Sequence, residues 1–501
     1  MSKIVTGHHG KTFHVALLGT ALAAAAPANA STADQPPAPT PMSTQAQLAD
    51  PQQAAQSQPG VSTGNAAANP VAPVPTTSSL TSASAARATA LDAVYQVKGF
   101  DNPYYSFGQT ITLDNGHWRS KLADAGFSLV VASINIFATP LNRAAPRGAA
   151  QSFWGQKPSL YDLSFFDLMW DASKIGIEGG QFQVSMASNR STYEPFQPNT
   201  FAASRFAYFQ SLDHGKVELI AGLITNGQGF IGMNVGGNAY SPLGPSAIIP
   251  YQVGLSAAPA PAPTFMIKNN WSSGLYNQFA VQRSLPPLPG VFLANARENP
   301  HGFKFSLPGA KALFIDEIGF RHFAAPGRKY IWVRLGGIYN TSEFKSYVNP
   351  AERHKNYAVY LLADKQVTQN DGTSKATAAQ GLYLGGSVMY APANVNAVSQ
   401  YYEGRAYYKG PFETRQKDQV ALVVTHQKFS HDLVDNLDAV TPINGSFGEP
   451  GSTTVTPTYT AYVSHGIFAT FGGSYIDHPK LARAPGEKSS FQFLTVLFFS
   501  L

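Results

Sequence analysis

The chain has 501 residues, with 35 Lys and Arg against 29 Asp and Glu, a net charge of +6 and no cysteine. The lack of Cys excludes a disulfide scaffold, thiolate metal sites and a cysteine nucleophile. Only 13% of residues are charged while 12% are aromatic, which excludes disorder of the whole chain and a long helical bundle. The basic residues form no cluster of the kind that tracks nucleic acid.

Residues 1–30 read as a secretory signal peptide. Lys3 and Lys11 give a positive start, Val15–Ala26 is an apolar run, and Ala28-Asn29-Ala30 offers a small-residue cleavage site. The run is shorter than the ~20 apolar residues of a membrane span, with a retained anchor as the other reading. No Cys follows the cleavage point, so lipidation there is excluded. Residues 31–95 are Ala, Pro, Gln, Ser and Thr with few charges, among them Asp34, Asp50 and Arg87. Such a composition cannot bury enough apolar surface to offset its ordering entropy, so a disordered linker is expected.

From residue 96 to residue 501 the chain reads as a string of short strands. Apolar residues recur at every second position, the strand period. In Tyr330–Tyr339 one face carries Ile331, Val333, Leu335 and Tyr339, and the other Tyr330, Trp332 and Arg334. In the next example Val398, Tyr402, Ala406 and Tyr408 oppose Ser399, Tyr401, Glu403, Arg405 and Tyr407. Lys216 and Glu218 alternate with Val217, Leu219, Ala221 and Leu223. One face is apolar and ends in Tyr or Phe; the other mixes charge, aromatics and small residues. That arrangement predicts an all-β fold, a transmembrane antiparallel β-barrel with an apolar outside, aromatic girdles and a polar lumen. Residues 100–501 amount to 402, and sixteen strands take about 25 residues each, connections included. The final segment, Phe491–Leu501, sets Phe491, Phe493, Leu497, Phe499 and Leu501 on one face, as in the closing strand that barrel-assembly machinery handles.

Enzyme motifs fail, and neither a metal nor a cofactor is expected. Gly227–Gly232 fits GxGxxG, but Met233–Asn238 cannot start the helix that a dinucleotide site requires. Asp316 and Glu317 are adjacent on a strand, so they face opposite ways and cannot act as a carboxylate pair.

Several stretches in order carry a family resemblance: Gly116–Gly126 running into Phe127-Ser-Leu-Val-Val, Tyr161–Leu168, Gly179–Ser185, Gly302–Gly309 with Arg334–Phe344, Asn356–Gln366 and Ala406–Asp418. Together they resemble the OprB-type carbohydrate-selective porins over roughly residues 105–501. The resemblance implies a barrel of about sixteen strands in the bacterial outer membrane, passing mono- or oligosaccharides by facilitated diffusion. It also implies a short helix over Trp118–Ala125 at the periplasmic mouth, with Trp118, Leu122 and Ala125 on its buried stripe. Both a lone barrel and a homotrimer fit it. An alternative within the same architecture is a barrel that exports or anchors a polysaccharide, with the linker as tether; a secreted lectin or glycan hydrolase is a third reading.

A sugar channel needs aromatic rings for C–H faces beside charged groups for hydroxyls, binding weakly enough to release the solute. The best-placed lumen candidates are Trp332 with Arg334, then Tyr401, Glu403, Arg405 and Tyr407, then Lys216 with Glu218. Charged lumen residues also pair with one another simply to hold the wall, and that reading stays open here. Residues 219–297 contain no acid but include Lys268, Arg283 and Arg297, so this basic run reads either as a solvated loop region or as constriction or extracellular loops with a positive local potential.

Overall fold

The computed structural model describes residues 77–100, 106–142, 150–195, 197–231, 248–271, 274–288, 291–375, 377–444, 447–483 and 489–501. Residues 1–76, with the expected signal peptide and most of the expected linker, lie outside them.

Sixteen antiparallel strands close into one barrel. They are β1 (Phe127–Pro140), β2 (Ser159–Asp171), β3 (Gly180–Ser191), β4 (Thr200–Leu212), β5 (Val217–Ile224), β6 (Ala262–Asn270), β7 (Leu275–Arg283) and β8 (Ala312–His322), followed by β9 (Ile331–Lys345), β10 (Arg353–Gln366), β11 (Gly381–Tyr390), β12 (Val398–Lys409), β13 (Gln419–Phe429), β14 (Gly451–Ser464), β15 (Ile467–Asp477) and β16 (Ser489–Ser500). Each strand pairs with its sequence neighbours, and β1 closes the circle on β16 with Ala132 opposite Ser500. No described helix is long and apolar enough to cross a membrane, and a closed barrel needs none, because every strand has a partner on both sides.

The period-2 pattern sets the two faces. Along β9, Trp332, Arg334, Ile338 and Asn340 are buried, while Leu335 and Tyr339 are exposed. Along β12, Tyr401, Glu403, Arg405 and Tyr407 are buried while Tyr402 is exposed. A register shift between Val398 and Gln400 interrupts this alternation. Val398 is therefore buried at 3% exposure, not outward with Tyr402 as strict alternation predicted. Outward aromatics gather near the strand ends. Phe127, Trp170, Phe182 and Tyr208 form a row with successive centroids 6.3, 5.8 and 4.8 Å apart at the end where β1 begins and β16 finishes, here called the terminal end. Tyr357 with Tyr390 and Tyr475 with Phe491 lie at the far end.

Connections at the terminal end are mostly short, such as 213–216, 271–274 and 465–466, whereas residues 225–261, 284–311 and 430–450 join strands at the far end. The described parts of the first, 225–231 and 248–261, pack inside the barrel. Phe230, Ile231, Ile249, Val253 and Leu255 are buried in one cluster with the wall residues Ile220, Met266, Ile315, Ile338 and Leu362.

The segment before β1 caps the terminal end, and here the structure corrects two expectations. The linker was to run to residue 95, yet Thr77–Ala90 and Asp92–Tyr95 are helices. The first is held by tertiary contacts that composition does not reveal: Ala88 packs with Phe107, Val130 and Met169. Its Ser84 Oγ donates to Asn115 and accepts from the Asp114 amide, and Arg87 pairs with Asp114. Packing of this kind, more than propensity, stabilises a short helix. The second correction concerns the helix Trp118–Asp124. Its buried residues are Arg119 and Ala123, with Trp118 and Leu122 half-buried and Ala125 exposed. The helix turns Arg119 inward because a socket awaits its guanidinium, which donates to Leu113 O, Leu129 O and Thr110 Oγ1 at 2.9, 2.9 and 3.2 Å. The ring of Phe107 lies beneath it. Burial lowers the Arg119 pKa to about 10, against the opposing pull of Asp92 and Asp114.

Between these helices the chain makes an excursion along the inside of β3. Gln181 Nε2 donates to Gln96 O, the Lys98 amide donates to Gln181 Oε1, and Gln183 Nε2 donates to Lys98 O. This ladder delivers Phe100 to the inner cluster, where the Arg205 guanidinium stacks on its ring at 4.3 Å.

Candidate functional site

Trp332 and Arg334 both face inward on β9, as their parity predicts. Their surroundings are organised by Glu317 on β8. Tyr276 and Tyr360 donate to its two oxygens at 3.0 and 2.8 Å, and Gln278 Nε2 donates at 2.8 Å. Two glycines make this convergence possible. Tyr276 lies across Gly319, and Tyr360 across Gly336, so closely that a Cβ on either glycine would fall 2.2 Å from ring atoms. Trp332 Nε1 extends the chain by donating to Tyr276 Oη at 3.0 Å. Asp316, next to Glu317, points outward to Asn277, so the adjacent acids face opposite ways as expected.

Arg334 stacks on the Trp332 ring with its guanidinium carbon 3.6 Å from the centroid. Its Nη1 donates to Phe230 O and Ile231 O at 3.0 and 2.7 Å, which pins the start of the inserted connection to the wall. Nε and Nη2 have no hydrogen-bond partner among the described residues. Further along, Asn340 Nδ2 donates to Val253 O and Ser284 Oγ. Gln282 meanwhile donates to Gly254 O and accepts from Asn226 and Ser256. The inserted connection is thus held chiefly through its backbone, by side chains from β7 and β9.

Tyr401, Glu403, Arg405 and Tyr407 form a second inward group, centred on a residue that sequence reasoning missed. Asp364 on β10 takes both Arg405 Nε and Nη2, at 2.8 and 2.6 Å, and the Tyr407 hydroxyl at 3.1 Å. Arg405 Nη1 bonds Glu403 and Ser387, and Tyr401 donates to Glu403 at 2.6 Å. Every nitrogen of this guanidinium is engaged within the wall. Tyr383, stacked on Tyr407 with centroids 4.9 Å apart, completes the group.

Lys216 does not share the inward face expected of it. It belongs to the tight turn before β5, donates its amide to Asp213 O and pairs its exposed ammonium with the Asp213 carboxylate at 2.9 Å. Glu218 is half-buried in β5, opposite Lys268 on β6. It also pulls on Lys98, whose ammonium burial pushes below the usual lysine range while Asp171 and Glu218 draw it back.

Of the basic run, Lys268 and Arg283 are wall residues. Lys268 lies over the Tyr276 ring, and Arg283 donates Nη2 to Pro261 O. Arg297 belongs to the far-end helix Val291–Glu298. Sequence reasoning also missed Arg205 and Asp167, an inward pair 3.7 Å apart on β4 and β2. Strand parity alone marks both, as it marks Asp364.

The whole is a barrel wall with two inward aromatic–charged groups, narrowed by chain inserted from both ends. Phe100 from the terminal side and Gly229 from the far side come within reach of one another: a Cβ on Gly229 would lie 3.8 Å from the Phe100 ring.

Comparison with known proteins matches this description. The family described as "Carbohydrate-selective porin, OprB family" matches residues 72–486. Porin B of Pseudomonas aeruginosa is 25% identical over 162 residues, 30% of this chain and 35% of that protein, so the aligned stretch spans about a third of its length. Among solved structures, the high-pH form of Pseudomonas putida OprB aligns with a TM-score of 0.66 at 16% identity, covering 78% of this chain and 98% of that one. The low-pH form gives 0.50 at 14% identity over the same shares. These structures share the fold, and the match across most of the sequence sets the affiliation: the chain belongs to the OprB family of carbohydrate-selective porins, bacterial outer-membrane barrels.

Proposed function

We propose that this outer-membrane porin admits carbohydrates, mono- or oligosaccharides, to the periplasm by facilitated diffusion, with Trp332 and Arg334 at the selective part of the path. The observation that carries the reading is the stacked pair itself. Both side chains are buried, Trp332 at 4% and Arg334 at 1% exposure, so they act on a passing solute by fixing how far the inserted connection narrows the path. The pair sits where the inserted connection meets the wall, which is where pore diameter and lining groups act together. The Arg405 group has its donors committed to Asp364 and Glu403, so it serves as wall reinforcement beside the path.

The test is reconstitution in planar bilayers. Single channels should conduct, and added maltose or maltooligosaccharides should reduce the current in a saturable way. Arg334→Ala should weaken that reduction while channels remain open. Channels whose current is indifferent to sugars of every length would refute the carbohydrate reading and leave a general porin.

A further inference from the structure

The far end of the barrel carries the longer connections, which in outer-membrane barrels face the cell exterior. On the outside of β8–β10 the wall below that end is apolar, with Leu335, Val359 and Leu361 exposed toward lipid. It finishes in a row of exposed aromatics. Phe314 stands opposite Tyr339, Tyr339 opposite Tyr357, and the Tyr357 ring lies 6.3 Å from that of Tyr390. Such a row marks the level at which hydrocarbon gives way to headgroups. Asp316, an outward acid below it, is closed locally by Asn277 at 2.7 Å.

Beyond the aromatics the same outer side turns basic. Lys311 precedes β8, Lys345 ends β9, and Arg353 and Lys355 open β10; each is exposed. The register shifts between His354 and Asn356, which adds Lys355 to the rim. Lys311 and Lys355 share one carboxylate, that of Glu343, at 2.9 and 3.3 Å. The nearby Glu352 is engaged by His354 at 3.3 Å and Asn349 at 2.9 Å. Lys345 stands directly opposite Arg353 in register. Arg353 donates to the carbonyls of Pro350 and Glu352, while Lys345 has neither a hydrogen bond nor an ion pair among the described residues. Like charges directly opposite one another destabilise a strand pair. The rim therefore holds more positive charge than its own acids balance.

We propose that this rim is a docking site for a phosphorylated lipid headgroup of the outer leaflet. A phosphate between Lys345 and Arg353 turns their repulsion into two charge-assisted contacts. The acyl chains of the same molecule then run down over Tyr339, Tyr357 and Leu361. A soluble anion would use the bases but not the apolar wall directly beneath them, so the continuity of the two surfaces favours lipid. The bases also share the outward side with Tyr339 and Tyr357, away from the path of a solute inside the barrel.

The test uses the folded protein in detergent, with lipid A, a bisphosphorylated glucosamine lipid, and its dephosphorylated form as probes. Native mass spectrometry should show lipid A retained on the barrel and the dephosphorylated form lost. Lys345→Gln with Arg353→Gln should weaken retention about tenfold. Lys365→Gln, exposed at the other end of β10, should not. Lys345→Glu adds a second readout, because it sets unlike charges opposite one another. Its heat-modifiable transition should rise in lipid-free detergent, and the further rise on adding lipid A should shrink. Sugar block in bilayers should stay unchanged in all these variants, and heat-modifiable migration verifies that each is folded. Equal retention of lipid A by rim and control variants overturns the proposal. So does displacement of lipid A by inorganic phosphate at comparable concentration, which would assign the bases to a soluble anion.

Discussion

Arg334 rests on the face of Trp332, two residues back on the same strand, with 3.6 Å between guanidinium carbon and ring centroid. The indole therefore fixes the guanidinium plane, and the fixed plane sends Nη1 to two successive carbonyls of a connection more than a hundred residues earlier in the chain. A single aromatic–cation pair thus sets both the chemistry of the wall and the position of the inserted chain.

Replacing Arg334 with Ala should strand Phe230 O and Ile231 O in a buried site, costing about 1–3 kcal/mol for a donor lost from buried acceptors. Urea unfolding in lipid vesicles measures this. Trp332→Leu should cost less, about 0.5–2 kcal/mol beyond its packing, the range of a desolvated cation–π contact. The double variant should show less than the sum, because the two residues act as one unit.

Arg405 makes a sharper case. Its removal leaves Asp364 and Glu403 facing each other without a cation, and breaking a buried ion pair from one side typically costs ~3–5 kcal/mol. Arg405→Met should therefore lower the unfolding midpoint more than Arg334→Ala does. It should leave sugar block largely intact in channels that still fold. A large loss of sugar block with unchanged stability would move the Arg405 group into the transport path.

Acid should loosen the terminal cap before the wall. Burial pushes the Asp114 carboxyl up, but hydrogen bonds from Ser120, Arg87 and the Arg119 amide outweigh it and hold the pKa below 3.8. Asp418 behaves alike through Arg415, Tyr459 and the Tyr462 amide. A depressed carboxylate lends stability that is complete above its unfolded value and fades as pH falls through the lower folded value. The contribution of both residues should thus begin to fade as pH falls below about 3.8 and vanish only below their lower folded values. Asp92, raised by burial, works in the opposite sense. Heat-modifiable gel shifts between pH 6 and pH 3 should show a falling transition temperature, and Asp114→Asn with Asp418→Asn should flatten the slope.

The two inserted segments should both limit current. Phe100→Ala removes the ring beneath Arg205, and Asn340→Ala releases Val253 O. Each should raise single-channel conductance, and together they should raise it further, since they act from opposite ends of the barrel. Unchanged conductance in both variants would show that the ion path runs along the other wall.

Strand parity made much of this legible. Trp332, Arg334, Tyr401, Glu403, Arg405 and Tyr407 lie inward because a period of two leaves no freedom once the outer side is apolar. Lys216 escaped the same logic because the strand starts one residue later, after a turn in which Asp213 and His214 take positive φ. Glu317 was visible only as one of two adjacent acids; its role depends on Gly319 and Gly336 clearing room for tyrosines from neighbouring strands, a relation between four strands. The anchors of the inserted connection are backbone carbonyls, which every residue has, so no side-chain pattern announces them. The helix Thr77–Ala90 was hidden for a related reason: small residues become ordered only against partners such as Phe107 and Val130 that lie elsewhere in the chain.

The seam of the barrel joins its first strand to its last, with Leu501 N donating to Val131 O, while Ile111 N, from the segment before β1, donates to Ser500 O. The wall consequently stays open until β16 has paired with β1. The stretch carrying Phe100 precedes β1 yet ends up enclosed. Its partners are Gln181 and Gln183 of β3, reached through the open terminal mouth, so its docking follows the assembly of that wall and not the closure of the seam.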